Sequence, residues 1–411
     1  MLKVPLTPIY FVTLKDKRTA MNQLTEYYKI IQHFTSLYAG EGDDELAQQA
    51  VDAITPVAEK GNTKAQYLLG RYYSWGYHHQ CDNRKAIYWF EKAADRGSDK
   101  AAEALANLYR YDFGDDEMIS AQAKKDFVHK WHYRWIEILE AKAAKGVASA
   151  AQALMKLYVY DCPEDIDREE GVKIACKWYY RWVEILKARA DKGDMATKKR
   201  IADILSWGTG VPDEVLEIVE YDDNYEDTAA ELYTEVVEEE KDADAWYNLG
   251  MIYYSEATEE ALRKSFDCFM KAAEMGFKVA YRCIGAAYFN GHGVDKDRAK
   301  AREWYQKGAE AGDVMSIILL AQCFKSGIGG EKDYAEAMKL YRQIASRRNL
   351  YGKYNHEVSV AQLEIGNMYM KGLGVETDIR QAYDWIRLAA ENGNIAAENA
   401  LNNKKFRDFK R

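Results

Sequence analysis

A glycine followed four residues later by a small residue recurs along most of the chain, and this repeat restricts the fold more than any other feature. The intervals from Gly61 to Gly97 and from Gly276 to Gly312 are both 36 residues, enough for two helices and a turn. The recurring pairs are Gly61 with Ala65, Gly97 with Ala101, Gly146 with Ala150, Gly276 with Ala280, Gly312 with Ser316 and Gly393 with Ala397. One helix pair cannot bury both of its apolar stripes, so the units must stack.

The segment 280–313 shows how one unit is built. Small and apolar residues form two stripes with helical period: Ala280, Tyr281, Ile284, Gly285 and Tyr288, then Ala301, Trp304, Tyr305, Gly308 and Ala309. Residues 291–293 break the first helix, residues 295–297 offer an aspartate N-cap to the second, and Gly312 follows as a C′ residue. Small residues let helix axes approach closely. The pattern therefore predicts an antiparallel helix pair.

This unit resembles the Sel-1-like repeat family, a relative of the tetratricopeptide repeats. The family pattern joins an A-x3-LG-x2-Y helix, a G-x-GV-x2-D loop and a KA-x2-WY-x-KAA helix. Further matches are Lys85, Ala86, Trp89, Phe90, Lys92, Ala93, Ala94 and Gly97; Lys264, Phe269, Lys271, Ala272, Ala273 and Gly276; Trp246, Leu249, Gly250 and Tyr253; and Ala361, Ile365, Gly366, Tyr369, Gly372, Gly374, Val375, Asp378, Ala382, Trp385, Ala389, Ala390 and Gly393. The resemblance implies an all-α, right-handed α-solenoid of about eight antiparallel helix pairs with N- and C-terminal caps.

The pattern also predicts the domain limits: an N-terminal cap over 1–42, the repeat solenoid over 43–400 and a basic tail over 401–411. Within the solenoid, two lengthened repeats occupy about 98–193. Both contain a similar nonapeptide, which begins at Trp131 and again 47 residues later at Trp178, so we expect long second helices near 118–145 and 168–192. A further insertion lies at 347–356.

Negative charge is concentrated in one segment. The formal net charge is -9, yet residues 212–244 alone hold fifteen acidic residues and one basic residue, Lys241. This segment falls in the loop and second helix of the fourth pair, where it is either a solvated surface or a recognition patch for a basic partner. The clearest basic cluster is the short tail, so we expect no nucleic-acid partner.

The apolar runs and the cysteines of the sequence indicate the cellular compartment of the protein. No run approaches the roughly 18 apolar residues of a membrane span, and the interrupted segment 4–14 does not fit a signal peptide. The six cysteines form no CxxC pair. Free thiols in a long chain indicate a reducing compartment, so we predict a cytoplasmic protein without a membrane partner.

Few motifs suggest chemistry. His78, His79 and Cys81 share a loop, and His129 and His132 are one helical turn apart, but neither group has a second ligand pair at metal-binding spacing. The glycine-rich run 327–333 has no Gly-Lys-Ser/Thr sequence and no preceding strand, as a phosphate-binding loop would need. We therefore expect no catalytic residues, no metal and no cofactor, and no enzymatic activity. An enzyme or metal protein built on the repeats remains a third hypothesis.

A partner surface is predicted where the first helices of the pairs turn away from their neighbours, and we call it the first-helix face. In tetratricopeptide-like stacks this side lines a concave groove. Its predicted binding residues are Tyr67, Arg71, Asn107, Tyr111, Lys156, Tyr160, Trp207, Tyr247, Asn248, Met251 and Tyr254, and equivalent positions include Asp203, Arg282 and Phe289. Aromatic anchors mixed with amide and charged groups are typical of protein-binding surfaces.

These features predict a non-catalytic adaptor or scaffold that binds a protein partner, either a peptide segment or a folded domain, in the groove. The acidic segment supports an alternative, an immunity or inhibitor protein that occludes a toxin or another basic protein.

Overall fold

The computed structural model describes residues 25, 27–32, 44–75, 81–112, 120–219, 225–346, 356–402 and 406, and these residues contain helices and turns with no β-strand. In chain order the helices are α1 (Asp44–Glu59), α2 (Thr63–Trp75), α3 (Asn83–Asp95), α4 (Asp99–Asn107, continued by a π-helical turn over Leu108–Asp112), α5 (Ala121–Ala144), α6 (Ala148–Tyr160), α7 (Arg168–Ala190), α8 (Met195–Trp207), α9 (Asp213–Leu216), α10 (Tyr225–Glu239), α11 (Ala243–Glu256), α12 (Glu259–Glu274), α13 (Lys278–Asn290), α14 (Arg298–Glu310), α15 (Val314–Ser326), α16 (Tyr334–Ala345), α17 (His356–Lys371), α18 (Ile379–Glu391) and α19 (Ile395–Ala400). The predicted all-α class is confirmed.

The chain divides into two compact units. The first unit comprises Met1–Arg189 and Gly210–Glu220, and the second comprises Ala190–Thr209 and Tyr221–Arg411. In the first unit, consecutive helices from α1 to α6 pack against one another. In the second unit, α8 packs against α10, and the consecutive helices from α10 to α19 pack against one another. Among the described residues, no helix is both long and apolar enough to cross a membrane.

The unit at 280–313 folds as its sequence predicts. Helix α13 ends at Gly291, whose φ of +82° is a left-handed conformation that glycine adopts without strain. Asp297 caps α14, because its Oδ1 accepts hydrogen bonds from the backbone N–H groups of Ala299 and Lys300, both at 3.0 Å. After α14, Gly312 has a φ of +86°. The chain then re-enters a helix at Asp313, the N-cap of α15.

Close packing within the pair depends on Gly285. A Cβ placed on this glycine would lie 2.5 Å from Cε1 of Tyr305 and 3.2 Å from the carbonyl oxygen of Ala301. The tyrosine ring of the second helix therefore occupies the space that a side chain on the first helix would need. Gly250 has the same relationship with Phe269, at 2.8 Å. The glycine of the A-x3-LG-x2-Y helix is thus required for close packing of the helix pair.

The lengthened repeats have long second helices, with α5 over Ala121–Ala144 and α7 over Arg168–Ala190, close to the predicted limits. Their matching nonapeptides are buried differently. Trp131 is buried and Trp135 half-buried in α5, whereas in α7 Trp178 is half-buried and Trp182 fully buried. The duplicated sequence therefore does not produce two identical packing environments.

The predicted caps are described only in part. In the helical stretch 27–32, Tyr27, Tyr28 and Ile31 are buried in a cluster with residues of α1 and α2. At the other end, Phe406 is buried, with its ring centroid 5.6 Å from that of Tyr383. Residues 1–24, 33–43 and 347–355, and most of the tail, lie outside the described residues. The limits of cap, solenoid and tail stay predictions.

Candidate partner-binding surface

A hydrogen-bond network joins three helices of the second unit at Asp203. Oδ1 of Asp203, on α8, accepts a hydrogen bond from the hydroxyl of Tyr233, on α10, at 2.6 Å. Nδ2 of Asn248, on α11, donates to the same oxygen at 3.4 Å. Tyr233 is fully buried, while Asp203 and Asn248 are half-buried. Helix α10 thus supplies a buried hydrogen-bond donor that orients a carboxylate of α8.

Trp207 lies one helical turn after Asp203 on α8, so its side chain is a neighbour of the carboxylate. Burial, followed by the hydrogen bond to Asp203, raises the pKa of Tyr233 above its ordinary value, so the phenol stays protonated and donates to the carboxylate. Trp207 nevertheless leaves 50% of its surface exposed. An indole ring therefore lies beside an oriented carboxylate at the surface.

The four predicted residues of α11 divide into two kinds. Tyr247 and Met251 are half-buried and pack in an apolar cluster, with the Tyr247 ring 4.9 Å from the ring of Phe277 and 5.8 Å from that of Phe269. Asn248 belongs to the Asp203 network. Tyr254 is 43% exposed, and its ring centroid lies 5.7 Å from that of His292.

In the first unit, the predicted residues vary in exposure. Tyr67 and Arg71 are half-buried; Nη1 of Arg71 lies 3.5 Å from the Tyr67 hydroxyl, and the Tyr67 ring packs 5.9 Å from Phe90. Asn107 is half-buried. Lys156 and Tyr160, on α6, are exposed, Tyr160 by 68%. The side chain of Tyr111 lies outside the described part of the chain.

The acidic segment is partly paired within the chain. In the second unit, Lys198 forms an ion pair with Glu235, and Nζ of Lys199 lies 2.9 Å from Asp242 and 2.8 Å from Asp244. In the first unit, Arg168 lies 3.2 Å from Glu214. Other acidic side chains of α10 face solvent, among them Asp227, Glu231, Glu238 and Glu239. Residues 220–224 are not described.

Of the histidines singled out in the sequence, His132 packs beside an ion pair. His132 is buried in the first unit, with Nδ1 3.4 Å from Nη2 of Arg110, and Arg110 forms an ion pair with Asp161. His78 and His79 lie outside the described residues, while the Cys81 thiol is 3.6 Å from the carbonyl oxygen of Ser74. Within the described ranges, no group of three His, Cys, Asp or Glu side chains is placed to hold a metal.

Sequence reasoning placed Asp203, Trp207 and Asn248 on one face but missed Tyr233. The sequence does contain a sign of its burial: Ala229, Tyr233 and Val236 form a stripe of helical period on α10, and all three are buried. That stripe predicts burial of the ring. It does not predict that the hydroxyl reaches a carboxylate on the neighbouring helix.

Comparison with known proteins identifies several of these helix pairs. The family model described as Sel1 repeat matches residues 63–98, 243–277, 280–313, 314–349 and 359–394. The matched segments coincide with α2–α3 and with the pairs from α11 to α18. The two lengthened pairs and the pair formed by α8 and α10 lie outside these matches.

Two solved structures are similar to this chain in sequence over most of its length. A Sel1 repeat protein from Oxalobacter formigenes superposes with a TM-score of 0.52 at 20% identity, covering 97% of this chain and 96% of that protein. The protective antigen c5321 of uropathogenic Escherichia coli, which displays an SLR fold, is 23% identical over 94% of this chain and 89% of its own, with a TM-score of 0.33. At this identity the first comparison supports the fold alone.

One curated relative shares a short segment. The ERAD-associated E3 ubiquitin-protein ligase component HRD3A of Arabidopsis thaliana is 40% identical over 53 residues. This segment spans 13% of the present chain and 8% of the plant protein.

Proposed function

We propose that this chain, which contains five Sel1 repeats, is a non-catalytic scaffold that binds a partner protein on its first-helix face. The observation that carries the proposal is the pair Asp203 and Trp207, one turn apart on α8, where an oriented, half-buried carboxylate lies beside a half-exposed indole. Tryptophan and tyrosine dominate binding energy at protein interfaces because they bury a large area with few rotatable bonds.

The repeat architecture and the similarity to the plant ligase component also support the scaffold proposal. Stacked helix pairs present side chains from successive first helices along one surface, which suits an extended or folded partner. The plant relative is a component of a ligase, and a component works within an assembly. The match covers a small part of both proteins, so we take from it the scaffold role and no partner.

The test compares two matched double variants by affinity capture from the source cells. Trp207→Ala with Tyr254→Ala removes two half-exposed aromatic side chains from first helices α8 and α11. The control, Met275→Ala with Leu388→Ala, removes side chains that are 42% and 39% exposed elsewhere in the same unit. We expect the first variant to lose partners that the control retains. Equal capture by both would reject the first-helix face as the binding surface.

Tyr247 is left unchanged in this design. Because its ring packs against Phe269 and Phe277, truncation would disturb the apolar cluster as well as any interface. Trp207 and Tyr254 are more exposed, so their loss reports binding more directly.

We also propose that the chain resides in the cytoplasm. All six cysteines are free, and Cys81 is exposed, which suits a compartment that keeps thiols reduced. Cell fractionation tests this location. Recovery of the chain with a lumenal marker, protected from protease until membranes are dissolved, would contradict it.

A second candidate function is inhibition of a basic protein by the acidic segment. Helix α10 carries six acidic residues and no basic residue, and Glu231, Glu238 and Glu239 form no ion pair with a described residue. Such a surface accelerates association with a basic partner at low salt. Replacing these three glutamates by glutamine should weaken capture at low salt if inhibition is the function. Unchanged capture at every salt concentration would remove this candidate.

A further inference from the structure

The carboxylate of Asp203 has an unused acceptor in an otherwise organised site. Both described hydrogen bonds, from Tyr233 and Asn248, go to Oδ1. No described side chain donates to Oδ2, and the residue is half-buried rather than enclosed. Two neutral donors hold the group in place while one oxygen stays available to a ligand.

No described cation neutralises this carboxylate. Lys199, one turn earlier on the same helix, pairs with Asp242 and Asp244 instead. Lys198 pairs with Glu235. A half-buried carboxylate without a cationic partner attracts a cation more strongly than a fully solvated one, because the local dielectric constant is lower.

Trp207 adds an aromatic surface to the same site. It lies four residues after Asp203 on α8, one turn away on the same face of the helix, so the indole and the carboxylate are neighbours. A guanidinium or ammonium group placed over an indole ring is attracted by the ring quadrupole. Carboxylate and indole together suit a basic side chain better than an acidic or apolar one.

From this geometry we infer that Asp203 and Trp207 form a binding site for an arginine or lysine side chain in a basic segment of the partner protein. Asn248 and Tyr233 are positioning residues, because they orient the carboxylate. The inference rests on the proposed function and names the chemistry of the partner. Charge complementarity extends beyond the site, since α10, which supplies Tyr233, carries six acidic residues and no basic residue.

A random dodecapeptide display library selected on the purified full chain tests this inference. We expect the selected peptides to be enriched in arginine or lysine, with binding that weakens as salt rises. Asp203→Asn keeps the shape of the side chain and removes its charge. It should weaken binding of a selected basic peptide by at least about tenfold, the lower end of what one charge-assisted hydrogen bond contributes.

Two matched measurements isolate the charge at this site. Asp267→Asn makes the same change at an exposed position of α12 in the same unit, and it should keep wild-type binding. Replacing the arginine of a selected peptide by citrulline removes the positive charge from the ligand. This change should weaken binding to the wild type about tenfold and to Asp203→Asn much less, because the two changes remove the same interaction.

Three outcomes would overturn the inference: selected peptides without excess arginine or lysine, no selected peptide at all, or equal affinity of the wild type and Asp203→Asn. Circular dichroism of Asp203→Asn should show wild-type helicity. If basic peptides are not selected while Trp207→Ala with Tyr254→Ala still loses its cellular partner, the basic-segment inference fails and the proposed function stands.

Discussion

The hydroxyl of Tyr233 donates to Oδ1 of Asp203 across 2.6 Å, so a fully buried tyrosine of α10 orients a carboxylate of α8. Tyr233→Phe keeps the ring and removes this donor. Hydrogen bonds to charged groups stabilise proteins by about 1.5–3 kcal/mol, so we expect the free energy of unfolding to fall by about that amount. Urea denaturation checks it, and unchanged stability would show that the hydrogen bond is energetically neutral.

Gly285 gives a test of repeat packing. Gly285→Ala should destabilise the second unit by about 1–3 kcal/mol, because its Cβ would approach Cε1 of Tyr305 to 2.5 Å. Helix propensity alone predicts the opposite sign, a gain of about 1 kcal/mol for alanine over glycine. A thermal melt of the variant therefore separates the two effects, and a higher melting temperature would contradict the packing account.

Because His132 is buried, we predict that the stability of the first unit depends on pH. Burial is the main cause that lowers its pKa below the ordinary value of 6.5; nearby Arg110 also lowers it, and Asp161 opposes the shift. The unfolded chain then binds a proton at higher pH than the folded chain does. Stability should be fully present above pH 6.5 and should fall as pH drops towards the lower folded pKa.

His132→Gln removes this proton linkage. Denaturation at pH 7.5 and pH 5.5 should show a smaller loss of stability on acidification in the variant than in the wild type. Equal losses in both proteins would mean that protonation of this histidine does not contribute to acid destabilisation.

Asp242 combines a helix cap with an ion pair. Its Oδ1 accepts hydrogen bonds from the backbone N–H groups of Asp244 at 3.0 Å and Ala245 at 2.9 Å, and its Oδ2 lies 2.9 Å from Nζ of Lys199. Asp242→Ala should cost about 0.5–2 kcal/mol through loss of the cap. Asp242→Asn keeps a capping oxygen and should recover most of this loss. Chemical denaturation of the three proteins measures it, and equal stability of all three would contradict the capping role.

The sequence predicts the repeats better than it predicts the binding face. The glycine pattern identifies the helix pair α13–α14 and its boundaries because turn and cap chemistry is local. Helical period predicts that Tyr247 turns away from its neighbours, yet it packs against Phe277, which lies in the turn after α12. Its environment depends on the residue that the next repeat supplies.

Tyr233 illustrates the same limit. Its burial follows from helical period, but its bond to Asp203 depends on how α8 and α10 cross, which no local pattern specifies. In the lengthened repeats, Trp131 and Trp178 occupy equivalent places in the nonapeptide and differ in burial for this reason. Contacts between helices, rather than the helices themselves, are what the sequence leaves undetermined.

Site-specific photocrosslinking in the source cells shows whether a partner binds on the first-helix face. A benzophenone amino acid is placed at Tyr254, 43% exposed on α11, or at Met275, 42% exposed at the end of α12 in the same unit. We predict a covalent adduct with a partner protein from position 254 and none from position 275. An adduct from position 275 alone would show that the partner binds elsewhere than on the first-helix face.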